Sequence, residues 1–145
     1  MKLTDDFDMR GDFELKIYRK GVLVEHVLEE NLILKRAKVL MAHAAKDEAG
    51  GVFINRIAFG TSSTPADPDD TALTSAYVKN IGAHTYPASG QIKFNWTLST
   101  AEANGKTIRE FGLMLSDGSL FARKVRGAIE KDDDISLVGS WTIKF

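Results

Sequence analysis

Apolar and polar residues alternate along most of this chain, and the pattern gives way to a helical period only once. Phe13, Leu15 and Ile17 alternate with Glu14, Lys16 and Tyr18, the period of two of a half-buried strand. Arg19-Lys20-Gly21 predicts a turn, and "VLVEHVL" from Val22 predicts the returning strand of a hairpin. Asn31 is a candidate cap for the next element. From Leu34 the period changes. Leu34, Ala37, Leu40, Met41, Ala44 and Ala45 fall near one face, with Lys35, Arg36, Lys38 and His43 mostly elsewhere. This predicts one amphipathic helix over about 34–47, stopped by Gly50-Gly51.

Beyond the helix, "VFINRIAFG" reads as a short apolar strand, "AYVKNIGAHTY" as a further strand and "PASG" as a turn. Ile92, Phe94, Trp96 and Leu98 alternate with Gln91, Lys93, Asn95 and Thr97. "AEANGK" is a loop, "TIREFGLML" a strand, and "SDGS" a tight turn with Asp-Gly at its centre. "LFARKVRG" pairs back, "AIEKDDD" is a charged loop, and Ile135, Leu137, Gly139, Trp141, Ile143 and Phe145 mark a last strand. Short loops between these four strands predict an antiparallel meander. The sum is mainly β: about 7–8 strands and one helix in a single domain, 1–145. Strands with one apolar face each need a second layer, so an antiparallel β-sandwich is expected, with the helix capping one side or end. Residues 1–9 have little core-forming periodicity and are expected to form an arm.

Composition narrows the function classes. The net charge is −1, which removes the bulk electrostatic case for nucleic acid. There are no cysteines, so disulfides and thiolate metal sites are excluded. No window is long and apolar enough for a transmembrane helix, and the acidic start "MKLTDDFDMRGDF" lacks the apolar core of a secretory signal.

The segment "IAFGTSSTPADPDDTAL", Ile57 to Leu73, carries the densest candidate chemistry. It has no lysine, so it is not a phosphate loop of the Walker type. Asp67, Asp69 and Asp70 are hard oxygen ligands suited to calcium, but the glycine and distal glutamate of an EF-hand are not in register. The alternative is a turn capped by Ser63, Thr64 and Asp67 and stiffened by Pro65 and Pro68, and this is the reading preferred. Glu130 to Asp134 form a second acidic cluster, expected as a solvated loop.

Other candidates are weaker. Arg10-Gly11-Asp12 matches the integrin-read tripeptide but directly precedes a strand, where a turn is expected. His26, His43 and His84 have no ligand spacing, and no nucleophile signature accompanies them. Glu102 or Glu110 with another carboxylate is formally a glycosidase pair, though twenty acidic residues offer many such pairs. Arg123, Lys124 and Arg126, beside Arg109 on the preceding strand, suit a polyanion or an acidic neighbouring subunit; a solvated outer face is the favoured alternative.

The order of these pieces resembles a group of small bacteriophage virion proteins and tail-fibre head domains. The resemblance rests on Asn31-Leu32, Ile54 to Thr61, Asp69 to Leu73, Glu102 to Leu113 and Asp117 to Arg123, and it spans roughly residues 30–145. It implies a non-enzymatic structural role in a tail, baseplate or fibre attachment complex, located in the virion and made in the host cytoplasm. It brings no catalytic residues and no cofactor. The partners implied are further copies of the chain, as a trimer or ring, and other virion proteins, with residues 1–9 or the first hairpin in the contacts. The chain has neither the repetitive shaft nor the receptor-binding tip of a full fibre, so a stand-alone block or adaptor is expected. A capsid decoration protein is the neighbouring alternative. A carbohydrate-binding module stacking sugars on Tyr77, Tyr86 or Trp96 is another, although Trp96 and Trp141 sit in alternating apolar series and are expected in the core.

Overall fold

The computed structural model describes residues 9–46 and 50–145. Among them are the strands β1 (Arg10–Arg19), β2 (Val22–Ile33), β3 (Ile54–Gly60), β4 (Tyr77–Asn80), β5 (Ala83–Thr85), β6 (Gln91–Leu98), β7 (Thr107–Leu115), β8 (Leu120–Glu130) and β9 (Ile135–Lys144), and the helix α1 (Lys35–Ala44). The strands pair in the order β4-β3-β7-β8-β2-β1-β9-β6-β5, every pair antiparallel. This is a mainly β fold of two antiparallel sheets with one helix, as the alternation predicts, with nine strands instead of seven or eight.

The extra strand comes from 76–86. Instead of one strand, this stretch makes β4, which pairs with β3, and β5, which pairs with β6 in the other sheet. The crossing falls at Ile81-Gly82, between the two strands. The expected meander is also corrected. Of the four strands expected in it, β7 and β8 form a hairpin, while β6 and β9 pair with each other and β9 lies between β1 and β6. A period of two reports which face a residue takes and says nothing about which strand lies beside it.

The two sheets share β2. Gly11 to Arg19 of β1 pair with Asn31 to Val22, and Leu32 and Ile33 then pair with Arg123 and Ala122 of β8. The inner faces meet through aromatic rings. Phe13 of β1 lies 5.0 Å from both Phe111 of β7 and Trp141 of β9, and Phe59 of β3 lies 5.4 Å from Trp96 of β6, centroid to centroid. Such edge and tilted pairs contribute about 0.5–1.5 kcal/mol each beyond area burial. Phe13, Leu15 and Ile17 are buried while Glu14, Lys16 and Tyr18 are half-buried, as the alternation requires.

The helix is shorter than expected, and its cap is different. Leu34 occupies the N-cap position without a side-chain bond, because β2 runs on to Ile33 and carries Asn31 with it. Asn31 instead accepts a hydrogen bond from Trp141 Nε1 at 2.6 Å. The first helical N–H, of Lys35, donates to the Pro68 carbonyl at 2.8 Å, so a donor left over at the helix start is satisfied from the 61–76 crossover. Ala37 and Leu40 are the helix's buried residues; Met41, expected on the same face, is 38% exposed. Residue 47, the expected helix end, lies outside the described residues; Gly50 and Gly51 both have positive φ.

Candidate assembly surface

The motif residues of the sequence converge on one buried ion network that fastens the 61–76 crossover to the sheet. Glu110 on β7 is fully buried. Its Oε2 accepts from Ser62 N at 2.8 Å and Thr74 N at 2.9 Å, at the two ends of the crossover. Its Oε1 accepts from Arg123 Nε of β8 at 2.9 Å. Arg123, 3% exposed, also donates from Nη1 to Asp70 Oδ2 at 2.9 Å and from Nη2 to the Thr64 carbonyl at 2.9 Å. Every charge in this network faces a partner, the condition under which a buried ion pair is tolerated.

Two glycines make room for it. A Cβ on Gly60 would stand 2.6 Å from Glu110 Oε2, and a Cβ on Gly112 would stand 2.8 Å from Leu120 and 3.2 Å from Leu73. "AFGT", "DDTAL", "EFGL" and "LFAR" are therefore parts of one structural joint. Sequence reasoning placed Arg123 on a solvated face; it is buried because β7 presents Glu110 beside it. The arginine–carboxylate fork is the signal that identifies such a pair, but only once the strands are paired.

The three carboxylates of the calcium reading lie in or beside this joint. Asp70 Oδ2 accepts from both Arg123 and Asp67 N, Asp67 Oδ1 accepts from Asp69 N at 2.9 Å, and Asp69 lies 4.0 Å from Lys35 Nζ. Among the described residues no group of three or more histidines or carboxylates could hold a metal ion. The second acidic cluster is dispersed. Glu130 belongs to β8 and accepts from Thr107 Oγ1 at 2.9 Å, and Asp134 pairs with Arg19 at 2.7 Å. Lys131 between them is buried, donating to Asn104 Oδ1 at 2.7 Å and the Asp132 carbonyl at 3.0 Å; burial lowers its ammonium pKa.

The remaining candidates are also placed apart. Arg10-Gly11-Asp12 lies within β1, not in a turn before it, and Asp12 pairs with Lys144 at 2.7 Å. His26 on β2 lies 2.9 Å from Glu14, His84 is on β5 against Tyr86, and His43 is on α1. Glu102 accepts from Lys79 Nζ at 2.8 Å, Ser99 N at 2.9 Å and Tyr77 Oη at 3.3 Å. Burial alone would raise its carboxyl, but these bonds from Lys79 and Ser99, with the Lys79 charge, outweigh it and hold the group at about 2. Tyr77 is raised by burial and by Glu102. Trp96 is 2% exposed between the sheets and offers no stacking face, while Tyr86 is 71% exposed with its ring against His84.

What the fold leaves uncovered is β2. From Val22 to Asn31 its only strand neighbour among the described residues is β1, because β8 joins it only at Leu32 and Ile33. From Val22 to Glu30 every residue except Val27 is exposed, so both faces of the strand are open. Val22, Leu23, Val24 and Leu28 are between 47% and 68% exposed. On the side that faces β8, Glu29 pairs with Lys124 at 2.5 Å and Glu25 Oε2 lies 2.9 Å from Arg126 Nη1. These pairs bridge the gap where the strands part and use Lys124 and Arg126, the two basic residues of "RKVR" other than the buried Arg123. An apolar strand with one open edge is a template for pairing with another chain. Of the expected arm, residues 1–9, residues 1–8 lie outside the described residues, and Met9 is packed against the core.

No protein-family model, curated protein or solved structure matches the chain. Among the described residues no helix is long and apolar enough to cross a membrane.

Proposed function

We propose that this protein is a non-enzymatic structural component of a bacteriophage virion, acting as a homo-oligomer, a trimer or ring, in a tail, baseplate or fibre attachment complex. The observation that carries the reading is β2: four large apolar side chains exposed on a strand with both faces and one edge open. Such a strand suits burial against a neighbouring subunit by edge pairing, as assembly proteins use it. The conspicuous polar residues fit the same reading, since Glu110, Arg123, Asp70 and Glu102 are engaged in holding loops to strands. The motif resemblance to virion proteins supplies the setting, and with it the virion as location and other virion proteins as partners.

The test has two arms. Light scattering on the purified chain is expected to give a mass that is a multiple of one chain. Incubation with purified phage tails and with capsid shells is expected to give co-sedimentation with tails. Binding to shells alone assigns the chain to capsid decoration and rejects the tail reading. A monomer that binds neither particle overturns the proposal.

A further inference from the structure

Two concentrations of exposed apolar side chains lie at opposite ends of β1. The first is the start of β2. Val22, Leu23 and Val24 follow the Lys20-Gly21 turn and are 64%, 47% and 56% exposed. Val22 pairs with Arg19 and Leu23 with Tyr18, so these two take opposite faces, and Val24 is the extra residue of a bulge before Glu25 meets Ile17. Three consecutive exposed apolar residues break ordinary patterning unless they have a use. The second is an apolar groove of about 690 Å³, walled by Leu40 and Met41 of α1, Phe53 before β3, Tyr86 after β5, Ile92 of β6 and Phe145 after β9. Tyr86, Phe53 and Phe145 are 71%, 60% and 52% exposed. Gln91 of the groove pairs with Lys144, and Lys144 with Arg10, the first residue of β1, whereas Val22 pairs with Arg19, the last. The 10 residues of β1 therefore hold the two features about 30 Å apart.

We infer that the start of β2 in one copy of the chain enters the groove of the next copy. Both halves of the contact are present in one chain, and the length of β1 keeps a tip from reaching its own groove. A contact between two different patches is heterologous: it repeats head to tail and closes into a ring where the rotation permits. That is the contact a trimer or ring requires. The side chains suit it. No Asp, Glu, Lys or Arg is among the described residues lining the groove, so an apolar strand end enters without stranding a charge there. The charges flanking the run need not follow it. Glu25 is held by Arg126, and Lys20, across the turn, has a stem long enough to keep its ammonium in water. The area is of the right order. The three open aromatic rings leave roughly 300–450 Å² uncovered, about half of the ~800 Å² that each partner gives to a stable interface. Met41, 38% exposed, extends the patch along α1. The inference rests on the reading of β2 as the assembly strand and names the surface that it meets.

The chain has no cysteine, so Leu23→Cys with Met41→Cys in one chain gives a direct test. Treated with a short bismaleimide, this variant is expected to run in denaturing gels as a ladder of two, three and more chains. The ladder is expected to end at the mass that light scattering gives for the assembly. Either substitution alone is expected to stay at one chain, because each contact joins a tip to another copy's groove. A crosslink only at one-chain mass overturns the inference, and so do dimers formed equally well by a single variant. An assembly seen in light scattering that gives no ladder overturns it and leaves the assembly reading standing; a single-chain mass before any reagent is added overturns both. A second measurement leaves the groove intact. Leu23→Ser with Val24→Ser alters only exposed side chains. It is expected to lower the mass and to raise the fluorescence of an added naphthalenesulfonate dye severalfold as the grooves empty. An unchanged dye signal overturns the inference.

Discussion

Arg123 Nε donates to Glu110 Oε1 at 2.9 Å across neighbouring strands, and this contact, sealed from solvent, fastens a sixteen-residue crossover onto the sandwich (61–76). Replacing Glu110 by Gln keeps the shape but leaves the guanidinium buried without its carboxylate. Breaking one side of a buried pair costs about 3–5 kcal/mol. The E110Q chain is expected to unfold at a markedly lower urea midpoint with an unchanged m-value. Arg123→Met in the same background is expected to recover part of the loss, because the stranded charge goes with it; additive losses would argue against coupling.

Gly139 of β9 lies directly under the indole of Trp96, where a Cβ would fall inside the van der Waals radii of Cζ2 and Cη2. Gly139→Ala forces the ring to move within a packed core, and overpacking of this kind costs about 1–3 kcal/mol. A lower melting temperature is expected together with altered tryptophan fluorescence. An unchanged spectrum would show that the ring does not sit where it is placed.

Acid should weaken the fold in a defined window. Burial acts to raise Glu102, but its bonds from Lys79 and Ser99 hold it at about 2 against an ordinary 4.5. Asp117 is held at about 2 against 3.8 by two hydrogen bonds from Ser119 and by Arg36. Both are depressed in the folded state, so their stabilisation is complete above about pH 4.5 and is lost as pH falls toward 2. Melting temperature measured from pH 6 to 2 is expected to drop across that interval, and less steeply in Glu102→Gln. The Asp117 share is smaller because its side chain is 36% exposed and screened.

Calcium should do nothing to stability. Asp70 already serves Arg123, and Asp67 and Asp70 both accept backbone N–H groups. Millimolar calcium and chelator are expected to give the same melting temperature. A rise with calcium would restore the metal reading at Asp67, Asp69 and Asp70.

Leu28→Asp and Val24→Asp alter residues that are 68% and 56% exposed. Folding stability is expected to change by no more than about 0.5 kcal/mol, as for ordinary surface sites. The mass by light scattering is expected to fall. Full retention of the higher mass would remove β2 from the assembly contact.

The faces of the strands were legible in the sequence, and their neighbours were not. The alternation from Phe13 to Ile17, the Asp117-Gly118 turn with Gly118 at φ 90°, and the burial of Trp96 and Trp141 all follow from local pattern. That β9 inserts between β1 and β6 depends on contacts more than a hundred residues apart, such as Arg10 with Lys144, which no local period encodes. The same blindness applied to Arg123. Alone it reads as a surface cation, and only the pairing of β7 with β8 sets it against Glu110. The two acidic clusters were legible as composition but not as partners, since Asp70 and Asp134 find their arginines at positions 123 and 19.

The place of β9 also sets the order in which the molecule can be completed. It forms the middle of its sheet, between β1 and β6, yet it is made after both of them. Until residues 135–144 have been made, the β1–β2 hairpin and β6 have no common partner, and Phe13, Leu15 and Ile17 have no finished core to enter. A nascent chain therefore carries an open, apolar half-sheet until residues 135–144 have been made. Closure is slow and late because it must join segments distant in sequence. Exposed apolar surface and unpaired strand edges of this kind are prone to aggregate in that interval.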